Sequence, residues 1–171
     1  MYRRIKPEVL HLLTPFVLLS VVSLGLLVAR IVATGTFRYS FLWWNLALAW
    51  VPLVAALVLR KLLMTHRWLS WQSLLTTAVW LLFLPNSFYV VTDLIHIHDS
   101  TEVSILFDVV LISLFAFTSL LIGFVALLLV HKELEKRLSA QRVLTIIMSI
   151  IVGSSFAIYL GRYLRWNTWD I

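Results

Sequence analysis

The chain has 171 residues, 61% hydrophobic and 13% charged, with five Gly and four Pro, a balance that a water-soluble domain of this size could not cover with a polar surface. The absence of Cys excludes disulfide scaffolds and thiolate-held zinc or iron–sulfur centres. The formal charge of +6 would suggest nucleic acid in a soluble protein, but Lys and Arg gather in the cytoplasmic loops of membrane proteins, so the expected partner is the lipid bilayer and not nucleic acid.

A helix crosses a hydrocarbon core of about 30 Å with roughly 20 apolar residues. Five apolar runs of about that length occur, uncharged but for Asp108 and Arg162, from Val9 to Ala29, Phe41 to Leu59, Leu69 to Val91, Ile105 to Val130 and Val143 to Leu164. Lipid cannot hydrogen-bond a bare backbone, and the alternating decapeptides of a membrane barrel are missing, so each run is expected to be helical. The expected fold class is all-α, a polytopic transmembrane bundle forming a single integral membrane domain over 1–171. The first run follows Arg3, Arg4 and Lys6 like a signal peptide, but it is too long and lacks a cleavage site, so it reads as an anchor.

Basic residues set the expected orientation. Arg3, Arg4, Lys6, Arg60, Lys61, Arg67, Lys132, Lys136, Arg137 and Arg142 fall on one side, and Arg30, Arg38, Arg162 and Arg165 on the other. The positive-inside rule then puts the amino terminus in the cytoplasm and places the chain in a cytoplasmic membrane. Five of the eight acidic residues, Asp93, Asp99, Glu102, Asp108 and Asp170, lie on the outer side. The loop from His131 to Arg142, with Glu133 and Glu135 among Lys132, Lys136 and Arg137, reads as a solvated helical extension.

Span three carries the sharpest pattern. Asn86, Tyr89, Asp93 and His96 recur at spacings of three, four and three, which puts them on one stripe of an α-helix. Pro85 is expected to break the helix and free a carbonyl near Leu81 for Asn86. The stripe can face a ligand or serve as interhelical hydrogen-bonding. His96, His98 and Asp99 are weak candidates for metal ligands, since imidazole and carboxylate suit zinc, iron or manganese. No closed ligand set is visible, so no metal site and no cofactor is assigned.

In span five, Gly153, Ala157 and Gly161 recur every fourth residue and form a small-residue ridge fit to receive a partner helix. Ser155, Tyr159, Arg162 and Trp166 occupy the other face. Arg162 is expected to pair with Asp93, since both lie near the outer boundary and each would otherwise be partly desolvated alone. Trp43, Trp44, Trp166 and Trp169 at the outer boundary and Trp68 and Trp71 at the inner one read as interfacial belts. Trp50 and Trp80 are expected to pack within the bundle.

The segments from Phe41 to Pro52, Trp80 to His96 and Tyr159 to Asp170 resemble the signature blocks of an uncharacterised bacterial integral membrane protein family, domain of unknown function 1361. The resemblance covers the chain from about Phe41 onward and implies a multi-pass inner-membrane protein without an established activity. It singles out Asn45, Pro85, Asn86, Tyr89, Thr92, Asp93, His96, Arg162, Arg165, Trp166, Asn167 and Asp170. Members of that family continue past the Trp–Asp pair into another hydrophobic segment, so the resemblance raises a carboxyl-terminal truncation at Ile171.

Two functions are expected to compete. One is a site at the outer leaflet for a lipid headgroup or a small polar or anionic ligand. In it Asp93 and His96 would act as catalytic proton-exchanging groups, with Asn45, Asn86, Tyr89, Arg162, Arg165, Trp166, Asn167 and Asp170 as ligand-binding residues. The other is a non-enzymatic structural or assembly subunit docked through the Gly153 ridge. Transport ranks below both, because the inner half offers few polar residues beyond Gln72, Thr76 and Thr77.

Overall fold

The computed structural model describes residues 7–99 and 105–163, with side chains over 11–96 and 105–162. It contains α1 (Pro7–Thr34), α2 (Phe41–Leu62), α3 (Trp71–Tyr89), α4 (Ile105–Glu135) and α5 (Ala140–Tyr163), with a 3-10 helix (Val90–Asp99) extending α3. All five α-helices are long and apolar enough to cross a membrane, and there is no strand among the described residues.

Several helices outrun the apolar runs because their terminal charges find partners. α1 continues through Arg30 to Thr34, and α4 continues through Lys132 to Glu135. Gly35 then ends α1 in the left-handed region (φ 67°), its amide donating to the Ile31 carbonyl at 2.8 Å. A Cβ would be strained at that φ, so Gly fits this helix-stop position. α3 runs through Pro85 without ending. The local acceptor expected for Asn86 is not used, since its amide has no hydrogen bond among the described residues.

α2 sits at the centre. Leu42, Leu46, Ala49, Leu53, Ala56 and Leu59 are buried at spacings of three and four, so one stripe of α2 faces the bundle. It packs on α3 and α4, while α1 leans on α4, and α5 on α3 and α4. α3 and α4 approach most closely at Gly123, where a Cβ would stand 2.7 Å from Ser87 Cβ. Ser87 Oγ donates across the bundle to the Ala49 carbonyl at 3.2 Å.

α1 is tied on by hydroxyl groups. Trp50 Nε1 donates to Ser20 Oγ at 3.1 Å, and Ser23 Oγ lies 3.5 Å from Thr118 Oγ1. Interhelical bonds of this kind contribute about 0.6 kcal/mol and at most about 1.7. Trp50→Phe is therefore expected to lower the detergent melting temperature only slightly. A loss above about 2 kcal/mol would assign Trp50 more than this bond.

α5 differs from expectation. Its packing face is Val143, Ile147 and Ser154, all buried, with partly buried Ile146 and Ile150 against the core. Gly153, Ala157, Ser155 and Tyr159 are exposed on the flanks. The seam thus runs between the two stripes, while Leu144, Met148, Val152 and Phe156 face outward.

The far end of the bundle also departs from a solvated extension. Glu133 is buried and draws in Lys136, Arg137 at 3.3 Å and Arg60 of α2 at 3.7 Å. Arg137 also lies over the Trp68 ring, 5.5 Å from its centroid. One acid therefore fastens the end of α4 to α2 and to the turn after it.

Candidate functional site

Val90, Val91 and Thr92 form the junction where α3 becomes 3-10. β-Branched side chains crowd an α-helical turn, and Thr92 Oγ1 donates to the Tyr89 carbonyl, three residues back, at 2.7 Å. A 3-10 helix has about three residues per turn, so Val90, Asp93 and His96 stand in one row. The expected α-helical stripe is corrected accordingly. Tyr89, Asp93 and His96 still converge, but through a tighter helix, and Asn86 lies outside their hydrogen-bond network.

Asp93 is the hub. Asn45 Nδ2, reaching down from α2, donates to its Oδ2 at 2.8 Å. Arg162, from the last turn of α5, donates through Nη1 to its Oδ1 at 3.5 Å and to Tyr89 Oη at 3.1 Å. The Nη2 of Arg162 donates to the Thr92 carbonyl at 2.7 Å and faces His96 Nε2 at 3.4 Å. A guanidinium has no acceptor, so the contact with His96 is a hydrogen bond only when His96 Nε2 carries no proton. The expected Arg162–Asp93 pairing is thus present, and it holds three sequence-distant segments together. His96 is fixed from a third direction: its ring meets Phe41 edge-on at 5.2 Å, and its carbonyl accepts from Tyr39 Oη at 3.2 Å.

A second arginine–aspartate pair, not anticipated from the sequence, lies between α1 and α4. Arg30 Nε donates to Asp108 Oδ1 at 2.7 Å and Nη2 to Oδ2 at 3.3 Å. Arg30 also donates to Thr36 Oγ1 at 3.3 Å and lies over the Tyr39 ring, 4.2 Å from its centroid. The two pairs differ in kind. Arg30 and Asp108 are fork-to-fork and 0% exposed on both sides, whereas Arg162 and Asp93 meet at one point, with the Arg side chain 22% exposed and the Asp 2%. Two-point geometry with full burial is a closed lock. One-point geometry leaves the guanidinium charge incompletely matched.

Cross-helix contacts fix the depth of each pair. From Glu133 to Gly123, α4 rises about 15 Å. Ser87 lies beside Gly123, and the chain from Ser87 to Asp93 rises about 11 Å more at α-helical and then 3-10 rises. Asp93 is thus about 26 Å from the Glu133 level along the bundle, a separation close to the about 30 Å thickness of a hydrocarbon core. By the same α-helical rise, Asp108 stands about 38 Å from that level, farther than one core thickness.

Arg165, Trp166, Asn167 and Asp170 lie outside the described residues, as do the side chains of His98 and Asp99. Among the described residues no group of three or more His, Asp or Glu is placed to hold a metal ion. Trp43 and Trp44, both half-exposed, pack edge-to-face at 5.4 Å beside Asn45. The contributions of Arg30, Asp108, Tyr39 and the Thr92 carbonyl were missed. The available signal was that Arg30 and Asp108 sit at the same outer end of two spans with opposite charge.

The family described as Protein of unknown function (DUF1361) matches residues 44–171. No curated protein and no solved structure matches the chain.

Proposed function

The chain belongs to the DUF1361 family, and for this multi-pass membrane protein we propose a ligand-binding site at the extracytoplasmic boundary of a bacterial inner membrane. Arg162 receives an anionic oxygen of the ligand, Asn45 and Tyr89 position the charged groups, and Asp93 and His96 supply a proton acceptor and donor. Arg165, Trp166, Asn167 and Asp170 join the ligand set on the family resemblance. The single observation that carries this reading is the contrast between a closed pair, Arg30–Asp108, and a loosely matched one, Arg162–Asp93. The excess of Lys and Arg near the Glu133 end supports a cytoplasmic placement of that end and hence an outward-facing site.

The test compares Arg162→Ala and Asp93→Asn with wild type. Asp93→Asn is expected to accumulate and melt close to wild type, because Arg162 is already partly accessible, while Arg162→Ala, which leaves the buried Asp93 without its cation, is expected to melt somewhat lower and still to fold. Retention of co-purified lipid or small polar molecules, read by mass spectrometry, is expected to fall at least tenfold, about 1.4 kcal/mol. An equal loss of protein level would make the cluster a structural clamp.

A second reading, an assembly subunit without catalysis, draws on the outer face of α5. A Cβ added at Gly153 meets nothing within 4 Å, and Ala157 beside it is exposed. A stoichiometric membrane partner recovered in mild detergent, and lost in Gly153→Leu, would favour this reading.

A further inference from the structure

We infer that the ligand of the Arg162 site is a membrane phospholipid whose phosphodiester reaches the guanidinium sideways from the lipid phase; this rests on the site proposed above. Three observations separate a lipid source from a water-borne anion.

Apolar surface flanks the pair. Leu94 and Ile95, beside Asp93, are 36% and 61% exposed, and Phe156 and Tyr159, on the α5 turns leading to Arg162, are 60% and 51% exposed. Apolar and aromatic side chains facing outward on spanning helices meet hydrocarbon or its boundary, which supports lipid beside Arg162.

Among the described residues, the outer end beside α1, α2 and α4 is packed. Tyr39, Arg30 and Asp108 are all buried, and they stand above the Asp93 row. Tyr39 Oη is bonded to the His96 carbonyl, so this plug rests directly on the site.

Arg162 keeps an open edge. Its Nη hydrogens serve Tyr89, Asp93, Thr92 and His96, while its Nε–H has no partner among the described residues. An arginine at this depth draws polar headgroups toward itself or reaches up to them. A phospholipid in the surrounding leaflet already holds its phosphate within a side-chain length of that depth. A free phosphate would have to leave water and cross the apolar collar.

The test uses the full chain, purified and delipidated, with two probes that share the chemistry: phosphatidylglycerol and glycerol 1-phosphate. Binding is read by native mass spectrometry, with melting temperature as the folding control. Phosphatidylglycerol is expected to bind one-to-one and glycerol 1-phosphate at least a hundredfold more weakly. Arg162→Ala is expected to weaken the lipid at least tenfold, and Arg162→Lys less, since the charge remains without the planar donor edge. Glycerol 1-phosphate binding as tightly as the lipid, with the same dependence on Arg162, would overturn the lipid source and leave the site standing. Lipid binding indifferent to both substitutions in folded protein would overturn the assignment to Arg162. Binding of neither probe would remove this inference and the anionic-ligand site together.

Discussion

Asp108→Asn is expected to cost about 3–5 kcal/mol and to leave little folded protein in detergent, because it strands a buried guanidinium. Arg30 and Asp108 are 0% exposed, so no water is at hand to take over the lost charge. The cost is that of the orphaned charge, not the net worth of the pair, which makes a second substitution informative. Replacing both partners with apolar residues, Arg30→Met with Asp108→Leu, is expected to recover most of the stability, since well-packed apolar replacements of buried ion pairs are often neutral or stabilising. Thermal melts followed by size-exclusion chromatography read both variants. A double variant as unstable as Asp108→Asn would mean that the pair also positions the α1–α2 turn through Tyr39. Asp93→Asn, at the partly accessible pair, is expected to melt near wild type. The two aspartates are therefore predicted to separate stability from ligand retention.

Gly123→Ala and Gly153→Ala are expected to act in opposite directions. At Gly123 the new methyl would stand 2.7 Å from Ser87 Cβ and 3.2 Å from the Phe88 ring. Phe88 can swing, but Ser87 Cβ is fixed to the α3 backbone, so the helices must part. Overpacking of this kind costs about 1–3 kcal/mol. It also strains the Ser87 bond to the Ala49 carbonyl and shifts Tyr89, so ligand retention is expected to fall with stability. At Gly153 nothing lies within 4 Å, and a better helix former should gain up to about 1 kcal/mol. A pair of melting curves decides. Equal destabilisation at both glycines would show that backbone flexibility, not the α3–α4 approach, is what Gly123 supplies.

The five spans were legible because lipid leaves a spanning backbone no alternative to helix, and apolar length alone then marks each crossing. What was not legible depended on charge meeting charge across the fold. Arg30 read as lying just past the first span, yet α1 continues through it, with Asp108 of α4 neutralising its charge. Glu133 read as a solvated charge for the same reason, until Arg60 of α2 is brought to it. The Asp93 cluster was better foreseen, since Asp93 and His96 stay neighbours under either helical period, Tyr89 closes the last turn of α3, and Arg162 lies at the same end of its span. Asn86 was lost from it because the change of helix type occurs at Val90. On α5 the small residues and the polar residues were the conspicuous stripes, but large apolar side chains occupy both the seam and the outward face, so their positions did not mark the seam.

A 3-10 run as long as Val90–Asp99 is uncommon, since 3-10 geometry is rarely held beyond three or four residues. Wound as α-helix, the same stretch would be about 5 Å shorter. Two outside contacts hold it extended, the Arg162 grip on the Thr92 carbonyl and the Tyr39 grip on the His96 carbonyl. A guest that draws the guanidinium away would free the first of these and let the coil wind in by a fraction of a turn. Occupancy of the site would then be read out as the length of the Val90–Asp99 run, tying the state of one guanidinium to the winding of ten residues.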